Sequence, residues 1–171
     1  MAVKTKNFGF TLIEMLIVIM VLGLVSVIGS NLFIGTLLGS SKAEILKEVR
    51  QNGEYALGIM EEMIKYCANV KDCESNSITI KVGNDQAVTF KVLDDAGVAR
   101  IASNSSYLTS NKVKVVNFSV SCGTLVPGRP ASVVINYSVE QKELTARPEN
   151  KASMQFYTIV TTRNVYQEKL D

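Results

Sequence analysis

The nineteen residues Phe10–Ile28, FTLIEMLIVIMVLGLVSVI, are apolar except for Thr11, Glu14 and Ser26, with Gly23 as an interruption. At 1.5 Å per residue they make a helix of roughly 28 Å, close to the ~30 Å hydrocarbon thickness of a bilayer. A helix that is apolar on every side has little use on the surface of a soluble domain. The alternative is a buried core helix. Around the run the charge map is uneven: between Lys6 and Lys42 the only ionisable side chain is Glu14. Lys4 and Lys6 precede the run and no acid does, so the positive-inside rule places residues 1–9 in the cytoplasm and the rest across the membrane. The layout also resembles a secretory signal peptide, but the apolar run is long and no small-x-small cleavage site clearly ends it.

Glu14 needs an explanation. An acid at mid-bilayer costs about 2.5 kcal/mol or more on insertion scales, and less near an edge. It persists if it is neutral, if it lies near the headgroups, or if it has a cationic partner. No basic side chain occurs within residues 7–41. The one intramembrane cation this chain can generate is a new α-amino group, made by cutting just upstream of the span. Gly9 immediately precedes the apolar run, and a cut there leaves Phe10 as the N-terminus. Glu14 is then the fifth residue, one helical turn from the amine.

The whole chain has 171 residues, enough for one domain plus an anchor. With 18 basic and 16 acidic residues its net charge is +2, too balanced to suggest a nucleic-acid binder. The absence of His removes Ser-His-Asp and Cys-His triads and all His-ligated metal sites. The three cysteines contain no CxxC pair, and no GxxxxGK[ST], GxSxG or HExxH occurs. Neither enzymatic activity nor a cofactor or metal is expected. Asp94-Asp95 beside Gly97 offers a weak Ca²⁺ candidate, but paired acids in a turn are usually solvated.

The stretch K-x-K-x-x-G-FTLIE-MLIVIMVLG, about residues 4–28, resembles the start of type IV pilin-like proteins: pilins, minor pilins and the pseudopilins of type II secretion. In that family a prepilin peptidase cuts after the Gly and N-methylates the new Phe, and subunits pass from the bilayer into a helical filament. The resemblance implies Gly9 as the last leader residue and Phe10 as the methylated N-terminus. It makes Glu14 the acid that pairs with the amine of a neighbouring subunit during assembly. The implied partners are the peptidase, other pilin or pseudopilin subunits, an inner-membrane assembly platform and, before assembly, the lipid bilayer. Residues 1–9 would be the leader peptide, 10–41 the transmembrane helix and 42–171 an extracytoplasmic globular domain. The short β domain favours a minor pilin or a pseudopilin over a major subunit. The other reading is a single-pass anchored β domain acting as adhesin or sensor, which leaves Glu14 unexplained. Many family members carry a Pro near the end of the membrane segment, whereas here the first is Pro127. The glycines at 29, 35 and 39 therefore mark Ser26–Ser41 as the place for the helix to bend or fray.

Beyond Ser41 the fold expected is α+β, a helix packed on an antiparallel β-sheet. Ile45, Val49, Ala56, Met60, Met63, Cys67 and Val70 form one helical stripe, with Lys47, Glu54, Glu61 and Lys65 opposite. Leu46, Leu57 and Ile64 flank the stripe and are read as core. Alternating residues predict strands over 77–82 and 86–93, joined by a Gly83-Asn84-Asp85 turn, and over 97–102. Further strands are expected over 112–121, with a β-bulge near Val115–Val116, and over 132–141 and 152–163. The polar loop 142–151 should link the last two. An oxidising compartment suits a disulfide. Cys73–Cys122 is the expected pairing, tying the helix–sheet junction to the sheet, with Cys67 a buried inert thiol. Cys67–Cys73 and Cys67–Cys122 remain alternatives.

Overall fold

A computed structural model describes residues 9, 11–83, 86–142 and 152–167, with Leu38 described through its backbone alone. The expected turn at Asn84-Asp85 and the loop 143–151 lie outside the described residues. The chain divides into two compact units, Met1–Ser41 and Lys42–Asp171. Helix α1 spans Leu12–Lys65. The strands are β1 (Asn69–Glu74), β2 (Ser77–Val82), β3 (Gln86–Asp95), β4 (Val98–Ser103), β5 (Ser106–Tyr107), β6 (Val113–Cys122), β7 (Pro130–Gln141) and β8 (Ser153–Val165).

In the first unit, α1 is long and apolar enough to cross a membrane, and none of the described residues in its membrane-length window is buried. The large apolar side chains from Leu12 to Leu37 are all exposed. No break interrupts the helix between Ser26 and Ser41, where bending or fraying was expected: Gly29, Gly35 and Gly39 are helical. With no Pro in this stretch, no backbone N–H donor is missing. The hydroxyls of Ser26, Ser30, Thr36 and Ser41 donate to the carbonyls of Leu22, Ser26, Leu32 and Leu37, so these polar side chains are satisfied within the helix.

In the second unit the helix buries Val49, Gly53, Ala56, Met60 and Ile64, steps of three and four that make one stripe. Of the flanking residues only Ile64 is fully buried; Leu57 is half-buried and Leu46 exposed. The helix ends at Lys65, so Cys67 and Val70 are buried from the turn and from β1 rather than from the helix. Glu61, expected on the outer face, is half-buried and accepts a hydrogen bond from Thr158 Oγ1 of β8.

The β half is two antiparallel sheets instead of one, β1-β2-β3-β4-β5 and β6-β7-β8. Ile78, Ile80, Phe90 and Ile101 come to the core from the first, and Val133, Ile135, Tyr137, Val139 and Val160 from the second. The sheets meet where the Val120 N–H of β6 donates to the Ser75 carbonyl after β1 (2.8 Å). The register slip in β6 falls between Val116 and Ser119, next to the expected Val115–Val116, and Asn117 there takes a positive φ (53°). Asn tolerates that region better than the valines before it.

Inside the core, Tyr137 and Phe156 are register partners on β7 and β8 and stack with ring centroids 5.4 Å apart. The Tyr137 hydroxyl donates to the Gly53 carbonyl (2.7 Å). The segment after β5 is fixed to the helix, where Asn52 Oδ1 accepts from the Ser110 N–H (2.7 Å) and Lys112 pairs with Glu48 (3.2 Å). Arg100 anchors the same segment by donating to the Thr109 carbonyl, pairing with Asp95 and lying over the Tyr107 ring.

Candidate functional site

Three groups of sequence-selected residues can be placed: the Gly9–Glu14 segment, the cysteines and the Asp94-Asp95 turn. In the first, Gly9 is exposed, and a Cβ added there would have nothing within 4 Å. Phe10, the expected methylated residue, lies outside the described residues. Thr11 is the cap of α1. Its Oγ1 accepts from the Glu14 N–H (3.3 Å), and its own N–H donates to Glu14 Oε2 (3.5 Å). This reciprocal arrangement is a capping box, which satisfies two of the donors that any helix N-terminus leaves open. The carboxylate sits in the first turn of α1, where the helix dipole favours negative charge.

Among the described residues Glu14 makes no ion pair, but it is not without a partner, because the Thr11 amide provides one. This reciprocal cap is a role of Glu14 beyond the assembly pairing expected from the sequence. The signal was present as T-x-x-E directly before an apolar run.

In the second group Cys73 and Cys122 are bonded, with Cα atoms 6.2 Å apart. Cys73 was expected before the first strand, yet it lies inside β1 opposite Ile78. The bridge therefore joins an edge strand of one sheet to the end of β6 in the other. Cys67 is free and buried, and burial pushes its thiol up to about 11. Burial and the Glu61 charge likewise push the Tyr137 hydroxyl upward.

Both groups favour their neutral forms in the folded state. Their contribution to stability is complete below their unfolded values and is lost as pH rises through the folded ones. Stability should thus decline from about pH 9 upward. In the native chain at pH 8, Cys67 should react with iodoacetamide at least a hundredfold more slowly than in urea, as read by mass spectrometry. Equal rates in the two conditions would show the thiol to be accessible.

At the third group, Asp94 Oδ1 accepts from the Gly97 N–H (2.8 Å) and Asp95 pairs with Arg100, so both carboxylates serve the turn. Among the described residues no cluster of three or more His, Cys, Asp or Glu could hold a metal ion.

Residues 4–30 match the family model described as the prokaryotic N-terminal methylation motif. The chain therefore carries a type IV pilin-like prepilin motif, on the segment that holds Gly9, Thr11 and Glu14. The match ends within α1 and leaves the β half outside it. No curated protein and no solved structure matches the chain.

Proposed function

We propose that this protein is a structural, non-enzymatic subunit, a minor pilin or pseudopilin, of a type IV pilus or type II secretion pseudopilus. The observation that carries the reading is the methylation motif over residues 4–30, which runs into a membrane-length helix whose apolar side chains are exposed among the described residues. In this reading residues 1–9 are the leader, 10–41 the transmembrane helix and 42–171 an extracytoplasmic globular domain. A prepilin peptidase cuts between Gly9 and Phe10 and methylates the Phe10 amine. The processed subunit stays in the cytoplasmic membrane until an inner-membrane platform delivers it to the filament. There the exposed apolar faces of α1 exchange lipid for the helices of other pilin or pseudopilin subunits.

The chemistry at the site follows from charge. Cleavage creates a cation where the chain has none, and Glu14 of one subunit meets the amine of the next. Within lipid, or within a filament core of apolar helices, each charge is expensive alone, so the pair becomes a requirement for docking.

The test is co-expression with a prepilin peptidase and the matching assembly machinery. The mature mass should begin at Phe10 and include one extra methyl group. Glu14→Gln should be processed normally but incorporated into filaments about a hundredfold less, the loss expected on breaking a buried ion pair. Retention of Met1–Gly9 in the presence of the peptidase would support an anchored adhesin or sensor instead.

A further inference from the structure

We infer that β8 is a docking edge for β8 of a second copy of this chain, the two strands pairing antiparallel about Thr158 so that the two sheets β6-β7-β8 continue into one another. The inference stands apart from the pilin-type reading, because it uses neither the cleavage nor the N-terminal motif.

The outermost strands of a sheet have main-chain groups left to satisfy, and most proteins blunt those edges. Here β1, β5 and β6 are blunted. β1 is six residues long, carries Lys71, Asp72 and Glu74, and is bulged between Val70 and Asp72. β5 has two residues. β6 contains the slip between Val116 and Ser119 and turns its Val120 N–H to the Ser75 carbonyl after β1. β8 differs. It has 13 residues, and its register with β7 is unbroken from Ser153 to Thr161. That stretch, SMQFYTIVT, contains no charge, no Pro and no Gly.

The hydrogen bonds fix which groups are open. The Gln141 N–H donates to the Ala152 carbonyl across the β7–β8 ladder (3.1 Å), and such pairs recur at every second residue. The main chain of Met154, Phe156, Thr158 and Val160 therefore faces β7, while that of Gln155, Tyr157, Ile159 and Thr161 turns outward. Among the described residues nothing bonds these outward groups. Farther along, the same edge is closed. The Asn69 side chain bonds both the N–H and the carbonyl of Gln167, and Asn164 Nδ2 donates to the Cys67 carbonyl. The opening thus spans residues 155–161, and over it stand Tyr157 and Ile159, 60% and 57% exposed.

The fitting occupant is a strand without charge or Pro, with its own free edge and with apolar side chains at alternate positions. Among the described strands only β8 has all of these, so a second copy supplies the occupant. Pairing centred on Thr158 places Tyr157 of each copy opposite Ile159 of the other, an aromatic–β-branched match made twice. Gln155 then faces Thr161. Arg163, the first charge after the stretch, falls opposite Ser153, so no like charges meet. A slip of the centre to Tyr157 or to Ile159 sets that residue against its own counterpart and breaks the match.

The test is cross-linking and sedimentation of the full chain in detergent micelles. Directly opposite, hydrogen-bonded residues have Cα atoms about 5.5 Å apart, within disulfide reach. Tyr157→Cys mixed with Ile159→Cys, on chains of different mass, should therefore oxidise to mixed dimers in several-fold excess over same-variant ones. Ile159→Lys puts a charge at an exposed position and removes both matches, so dimerisation should weaken about tenfold. Thr161→Pro removes an outward N–H that β7 does not use, and should weaken it as well. Both variants leave α1 untouched. Association that survives them unchanged arises elsewhere and would overturn the β8 edge as its seat. A parent that sediments as a monomer overturns the inference, and same-variant dimers in excess overturn the pairing about Thr158.

Discussion

Gly53→Ala should destabilise the globular unit by about 2 kcal/mol, although alanine is the better helix former. The methyl gain in helix propensity is worth roughly 1 kcal/mol at a mid-helix position. Against it stands an overlap: a Cβ at residue 53 would lie 2.1 Å from Cε2 and Cζ of Phe156. That ring is buried and stacked on Tyr137, which is itself held by its hydrogen bond to the Gly53 carbonyl. The ring therefore has no free direction in which to retreat, and overpacking of this kind costs about 3 kcal/mol. The difference sets the sign. Urea denaturation of the detergent-solubilised chain measures it, and a matching cycle with Phe156→Leu isolates the cause. The alanine should cost much less on the Leu background. If it costs the same on both, the helix and β8 do not meet at this notch.

Removing the disulfide should have the larger effect. Cys73 and Cys122 are 49 residues apart, and closing a loop of that length in the unfolded chain is worth roughly 4 kcal/mol. Cys73→Ser with Cys122→Ser should lower stability by about that amount under oxidising conditions. The parent should fall to the level of the double variant when reduced. Because the bridge links β1 to the end of β6, hydrogen exchange should rise first at the Val120 amide, which donates between the sheets. A double variant as stable as the oxidised parent would mean that this link contributes nothing beyond the packed core.

The sequence made the membrane-length helix, its buried stripe and strands β2, β3, β4, β6, β7 and β8 legible, because each is a local pattern of apolar residues. Strand β1 was missed. Its residues, NVKDCE, include three charges and alternate poorly, and it forms by pairing with β2 across a bulge between Val70 and Asp72. The helix appeared too long because Cys67 and Val70 continue its spacing while being buried from another element. Division into two sheets is equally invisible locally, since a strand's pattern shows that one face is covered but not which neighbour lies at its edge. At the N-terminal site, periodicity and charge pointed to Gly9 and Glu14. The role of Thr11 was overlooked because a hydroxyl beside an apolar run was counted as an exception to hydropathy rather than as half of a cap.

The pairing of cysteines also constrains how the chain comes to maturity. Cys67 stands only six residues from Cys73, whereas the native partner is 49 away. In a newly made, unstructured chain the short loop closes more often by roughly an order of magnitude. Native connectivity therefore has to be selected by conformation rather than by encounter frequency. Sequestering Cys67 before an oxidant arrives is one route, and an isomerase that undoes early mistakes is the other. Either way, under the proposed function the supply of this subunit to its assembly would depend on the thiol chemistry of the compartment in which it folds.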